Sequence, residues 1–191
     1  LDSNNLSLED IDIIVFYDKP FLKLERILET FYNNAPKGWK QFIYSMPLWL
    51  KEKMFLKSTI KKALKEIGEY NPKKTKLLFS EHHLSHAAST FFCSPFQEAA
   101  ILCIDGVGEW ATASVSRGVG NNIELIEEMH FPNSVGLLYS SFTYFLGFKV
   151  NSGEYKMMGL APYGNPNAEE VKTFKKLIVD NLVTVFDNGS I

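Results

Sequence analysis

Three short apolar runs, each stopped by an acidic residue or a histidine, constrain the fold of this chain more than any other feature. Ile13-Ile14-Val15-Phe16-Tyr17 lies between Asp12 and Asp18, Leu77-Leu78-Phe79 runs into His82 and His83, and Ala99-Ala100-Ile101-Leu102-Cys103-Ile104 ends at Asp105. Such short apolar runs predict strands, and the first, rich in β-branched and aromatic residues, predicts a buried one. Between the first two the spacing turns helical: Phe21, Leu22, Leu24, Ile27, Leu28 and Phe31 share a face over 21–33, and Ile60, Leu64 and Ile67 do so over 53–69. The stretch 33–52 is the least regular, because Pro36, Gly38 and Pro47 interrupt any period.

Further along, residues 84–92 predict a helix that stops before Pro95. Gly106 and Gly108 predict a turn, so that 99–116 forms a β-hairpin, and Asn122 to His130 adds the next strand of a meander. Residues 135–146 predict a helix, Asn151 to Asn165 a glycine-rich segment, 167–179 a last helix with a charged face, and Val183 to Phe186 a strand. The order predicts an α/β fold with mixed sheets flanked by helices.

Composition excludes several classes. Of 191 residues, 46% are hydrophobic and 22% charged, with a net charge of -2, which is an ordinary globular balance with no basic face to direct the chain to nucleic acid. No apolar stretch approaches the roughly 20 residues a membrane helix needs. Cys93 and Cys103 both sit in apolar surroundings and read as buried free thiols. With no signal peptide, the expected compartment is the cytoplasm. The lysines of 53–69 read as a solvated face. The first residue is Leu1 and the last, Ile191, follows an apolar run, so both ends read as interior to a longer protein.

Three segments carry candidate chemistry. Three of the four histidines, His82, His83 and His86, fall within five positions. On a helix starting near His82, residues 82 and 86 lie one turn apart on one face, and two imidazoles so placed can bind one metal ion. His83 and His86 can do the same, and spacing does not choose between the pairs. A hydrogen-bonded group at a strand-helix turn is the plain alternative. The second segment is Asp105-Gly106-Val107-Gly108-Glu109, where a carboxylate at a strand end can ligate a metal and glycine backbone can approach phosphate oxygens; a simple hairpin turn accounts for it equally. The third is Gly153 to Gly164, where Lys156 and Gly159 are candidate phosphate contacts, although the Gly-Lys-Ser/Thr ending of a Walker loop is missing.

Together these residues resemble a known family. Glu81-His82-His83-Leu84-Ser85-His86-Ala87-Ala88-Ser89, Ser94-Pro95-Phe96, Asp105 to Glu109, Ser134 to Tyr139, Gly153 to Gly164 and Phe16 to Lys23 are similar, in this order, to segments of the NodU/CmcH-type O-carbamoyltransferases. The resemblance runs from about residue 8 to 165. It implies part of a two-lobed actin/Hsp70/sugar-kinase-like (RNase H-like) domain. Residues 1–95 would hold the remainder of the first lobe, with a helical insertion at about 21–70, and 96–191 the start of the second. A YrdC-like domain, absent from this chain, would make carbamoyl-adenylate from carbamoyl phosphate and ATP. The domain read here would pass the carbamoyl group to a hydroxyl of a small-molecule acceptor and release AMP.

The resemblance also implies a divalent metal, Fe(II), held by His82, His86 and Asp105, with a further Asp beyond Ile191 and His83 as a neighbour. Gly106, Gly108 and Glu109, with Lys156 and Gly159, would face the nucleotide. For the base that accepts the hydroxyl proton the chain offers only His130 and Glu109. The opening strand-turn segment of the family is missing, so the piece alone is expected to be inactive. Two other readings differ in class. A threonylcarbamoyl transferase of tRNA modification would carry a Glu within the histidine segment and a Ser-Gly-Gly turn, whereas Leu84-Ser85 and Asp105 stand here. A non-catalytic actin-fold interaction domain would bind neither metal nor nucleotide.

Overall fold

The computed structural model of the chain describes residues 5–184. The chain divides into two compact units, one ending at Leu138 and one beginning at Tyr139. This is a division by contact, distinct from the lobe boundary expected near residue 95.

In the first unit, strand β1 (Ile13–Phe16) leads into helix α1 (Pro20–Asn34), then α2 (Trp39–Ile67), and the chain returns through β2 (Lys76–Phe79). β1 and β2 pair in parallel, Ile13 opposite Lys76 and Phe16 opposite Phe79. A parallel pair needs a long crossover, which α1 and α2 supply. Pro20 opens α1 at a position where the missing N–H costs nothing. Gly38 starts α2 in the left-handed region, φ 78°.

α2 corrects the expectation for 33–52. It runs 29 residues, straight through Pro47. Proline removes one helical hydrogen bond, but the helix on both sides of it is held by packing. Met46 is buried, and Phe31 of α1 meets Phe42 and Trp49 at ring-centroid distances of 5.1 and 6.3 Å.

Helix α3 (His82–Phe91) follows β2 directly, and then comes the expected antiparallel meander of β3 (Glu98–Ile104), β4 (Ala111–Val119) and β5 (Asn122–His130), with β4 in the centre. β4 turns Thr112, Ser114, Ser116 and Gly118 inward. These small residues let α3 lie close to the sheet. Ala87 and Phe91 of α3 form a core with Ile101, and a Cβ at Gly118 would stand 2.8 Å from the Phe91 ring. β1, expected to be buried, is covered on one face only, as is β3: Ile13, Val15, Leu102 and Ile104 are each more than half exposed. Cys93 is likewise exposed and Cys103 half-buried, both as free thiols.

Helix α4 (Val135–Phe145) crosses the division. Its first turn meets the strand end after β3, where a Cβ at Gly136 would fall 2.2 Å from the Asp105 carbonyl oxygen. The second unit holds α5 (Glu154–Leu160) and α6 (Glu169–Leu182). α5 occupies the segment expected to be a glycine-rich loop. Glu154 organises its start, its Oε1 accepting from Ser140 Oγ at 3.0 Å and from the Asn151 amide at 2.9 Å. Residues 183–184 form no strand, and Val185 and Phe186 lie outside the described residues. No helix among the described residues is long and apolar enough to cross a membrane.

Candidate metal centre

The site is built where β2 gives way to α3. α3 starts with no side-chain cap of its own from Glu81. Its cap comes from a distant carboxylate: Glu109 accepts the His82 amide at 3.0 Å through Oε2, and the Lys19 amide at 2.8 Å through Oε1. One buried acid, 6% exposed, thus holds the first residue of α3 and the residue that begins α1. A carboxylate is well suited to both helix N-termini, where amides lack partners and the helix dipole is positive. Gly108 lets the turn come this close, since a Cβ there would sit 3.1 Å from the His82 Cβ and 3.2 Å from the His83 ring.

From this fixed start, His82 and His86 project one turn apart. Their Nε2 atoms are 3.0 Å from each other. Asp105, at the end of β3, places Oδ2 2.7 Å from His82 Nε2 and 3.9 Å from His86 Nε2. The three residues offer ligand atoms all within 4.8 Å of one another. Donors about 2.1 Å from a shared ion lie roughly 3.0 Å apart at right angles and roughly 3.4 Å apart in a tetrahedron, so the observed spacing has the scale of a coordination shell.

Hydrogen-bond chemistry tests the fit independently. His82 Nδ1 lies 2.7 Å from Oδ1 of Asp18. A carboxylate only accepts, so Nδ1 carries a proton, and in the neutral ring Nε2 is then a lone pair. That lone pair faces the Asp105 carboxylate at 2.7 Å. Two acceptors at this distance require positive charge between them, either a second proton on His82 or a metal cation. Burial alone would raise the Asp105 pKa, but the Gly106 amide, the hydrogen bond from His82 and the charges of His82 and His86 outweigh it and hold the carboxyl below its ordinary range. The acid is therefore ionised, as a ligand must be.

His83 points away from this group. It is 4% exposed, its Nδ1 lies 2.8 Å from Ser114 Oγ on β4, and burial pushes its pKa down. Spacing left the histidine pairs open; the structure brings His82 and His86 together with Asp105 and sets His83 against the sheet.

The other sequence candidates are placed differently. The Gly106 amide donates to Asp105 Oδ1 at 2.6 Å, and the Gly108 amide to the Ala111 carbonyl at 2.9 Å. Both N–H groups are engaged in closing the turn. Glu109, expected at the nucleotide or as a base, is committed to backbone amides. His130 sits at the exposed end of β5, with Nε2 3.0 Å from Glu128 Oε2. Lys156 and Gly159 belong to the second unit, on the exposed side of α5. Asp18 was legible only as the residue that ends the first apolar run. No local pattern ties it to a histidine 64 positions away.

The comparisons with known proteins agree on a family. The model described as "Carbamoyltransferase N-terminus" matches residues 1–190. The chain is 54% identical over its whole length to the protein sll1178 of Synechocystis, described as uncharacterized, of which it spans 30%. It is 35% identical over 167 residues, 87% of the chain, to the nodulation protein NolNO of Sinorhizobium fredii, of which the match covers 22%. Over 45% of the chain it is 38% identical to the nodulation protein NolO of Bradyrhizobium diazoefficiens, covering 16% of that protein. The chain thus spans less than a third of the length of the relatives it matches.

Proposed function

Because this chain belongs to the carbamoyltransferase N-terminus family, we propose that it carries the metal-binding part of an enzyme that transfers a carbamoyl group to a hydroxyl of a small molecule. The donor in this reading is carbamoyl-adenylate, made from carbamoyl phosphate and ATP by a YrdC-like domain of the same longer chain. The domain around the site takes the actin-like, two-lobed form. The observation that carries the reading is the convergence of His82, His86 and Asp105.

Two imidazoles and one carboxylate are the donor set associated with non-haem Fe(II) sites that keep positions open, which is why Fe(II) is the ion proposed. When bound, the ion supplies positive charge that can offset charge on the phosphate oxygens of the adenylate. The chain's own residues supply placement. Glu109 fixes the amide ends of α1 and α3, α3 sets the two imidazoles one turn apart, and the Gly106 amide orients Asp105. In the transfer, the acceptor oxygen forms a bond to the carbamoyl carbon, the bond from that carbon to the adenylate oxygen breaks, AMP leaves with the electron pair, and the hydroxyl proton passes to the departing phosphate or to water. Lys156 and Gly159 remain the proposed contacts for the nucleotide, the lysine as a point charge for phosphate.

The test uses the full-length protein, purified anaerobically and given carbamoyl phosphate, ATP and a panel of hydroxyl acceptors that includes sugars and oligosaccharides. The expected result is AMP together with a carbamoylated acceptor detected by mass spectrometry, both lost in His86→Ala. Carbamoylation at the wild-type rate in His86→Ala would contradict the reading.

A further inference from the structure

We propose that Asp18, braced by Lys23, is a positioning residue of the metal centre: it fixes the tautomer and the ring orientation of His82, so that His82 binds through Nε2. The inference rests on the metal-site reading above and extends it to two residues outside the ligand set.

Asp18 lies in the turn between β1 and α1 and is 6% exposed. A buried carboxylate is costly unless every part of it is paired. Here its two oxygens are divided. Oδ1 lies 2.7 Å from His82 Nδ1 and Oδ2 lies 2.7 Å from Lys23 Nζ, the lysine side chain being 17% exposed. Lys23 compensates the charge of Asp18 and pins one oxygen, which aims the other at the ring.

Asp18 and Asp105 both only accept, at 2.7 Å from Nδ1 and from Nε2, so with Nδ1–H donating to Asp18 it is a metal cation between Nε2 and Asp105 that takes the place of a second proton. Nε2 is left as a lone pair, and it is the atom that faces His86 Nε2 at 3.0 Å and Asp105 Oδ2 at 2.7 Å. An imidazole without this partner could rotate about its χ angles or carry its proton on Nε2, and in either state it is lost as a ligand. Metal-binding histidines generally donate their second nitrogen in this way, and losing the acceptor costs on the order of 10–100-fold in metal affinity. The alternative is a plain salt bridge that ties the β1–α1 turn to α3, and that would move stability but not the state of the imidazole.

Two measurements on the full-length protein separate these. In the first, Fe(II) or the spectroscopic probe Co(II) competes with a chromophoric chelator for wild type, Asp18→Asn and Asp18→Glu. The expected result is a loss of affinity of about 10–100-fold in Asp18→Asn, a changed Co(II) absorption band, and partial recovery in Asp18→Glu. A folded Asp18→Asn protein that binds within twofold of wild type, with the same band, overturns the inference. In the second, nitrogen NMR of the metal-free wild-type protein reads the His82 tautomer directly and does not depend on any variant folding. A proton on Nδ1 is expected whether or not Nε2 also carries one, and an Nδ1 without a proton overturns it. A wild-type protein that binds no metal would instead sink the metal reading, while the NMR measurement would still report on Asp18.

Discussion

Replacing Glu109 by alanine should destabilise the protein by about 3–5 kcal/mol, far more than a change of one acid at a turn would suggest. The substitution leaves two amides without partners, those of Lys19 and His82, in a partly buried setting. An unsatisfied buried donor costs about 1–3 kcal/mol. Loss of the negative charge beside two helix N-termini adds about 0.3–1 kcal/mol at each. Glu109→Gln keeps the shape and one acceptor oxygen, so it should lose about half as much. Denaturant unfolding of the full-length protein checks both. A loss below about 1 kcal/mol for Glu109→Ala would show that water or another group caps these helices.

Phe91→Ala should produce a loss of similar size at the other end of α3, about 3–5 kcal/mol. Phe91 is 3% exposed and packs with Ala87 and Ile101. Its ring lies against Gly118, close enough that a Cβ there would stand at 2.8 Å. The cavity left by alanine has little means of collapsing, because the facing strand presents glycine and small hydroxyl residues with no longer side chain to fill it. Glu109 and Phe91 hold opposite ends of one helix, and the two imidazoles sit near its start. Metal affinity should therefore fall in both variants, by less than on removing a ligand, and more in Glu109→Ala, whose contact is at His82 itself. Equal stability of Phe91→Ala and wild type in the same unfolding measurement would mean that α3 is not anchored through this ring.

Local pattern was enough for elements whose own residues decide them. The meander from Glu98 to His130 follows from alternation and from the glycine turn, and α1 follows from its apolar period and Pro20. The pairing of residues 82 and 86 is a consequence of helical pitch alone. What local pattern missed depends on partners distant in sequence. α2 continues through Pro47 because Phe31 and its neighbours pack on both sides of the break. Gly153 to Gly164 contains a helix because Glu154 organises the turn before it. Inward Ser114 and Gly118 break the rule of an apolar strand face because a histidine and a phenylalanine from α3 fill that space. Asp18 and Glu109 are single acids whose roles exist only once α3 is set beside β1 and β3. The local setting of Glu109, an acid after a glycine turn, gives no sign that its carboxylate accepts from the amides of Lys19 and His82.

The central claim is that His82, His86 and Asp105 hold one metal ion. Elemental analysis of full-length protein purified without oxygen tests it most directly, comparing wild type with His82→Ala, His86→Ala and Asp105→Ala. The account predicts a near-stoichiometric transition metal, iron, in the wild type and its loss from all three variants, each checked to be folded. The same metal content in wild type and variants, or none in a folded wild-type protein supplied with Fe(II), would contradict it.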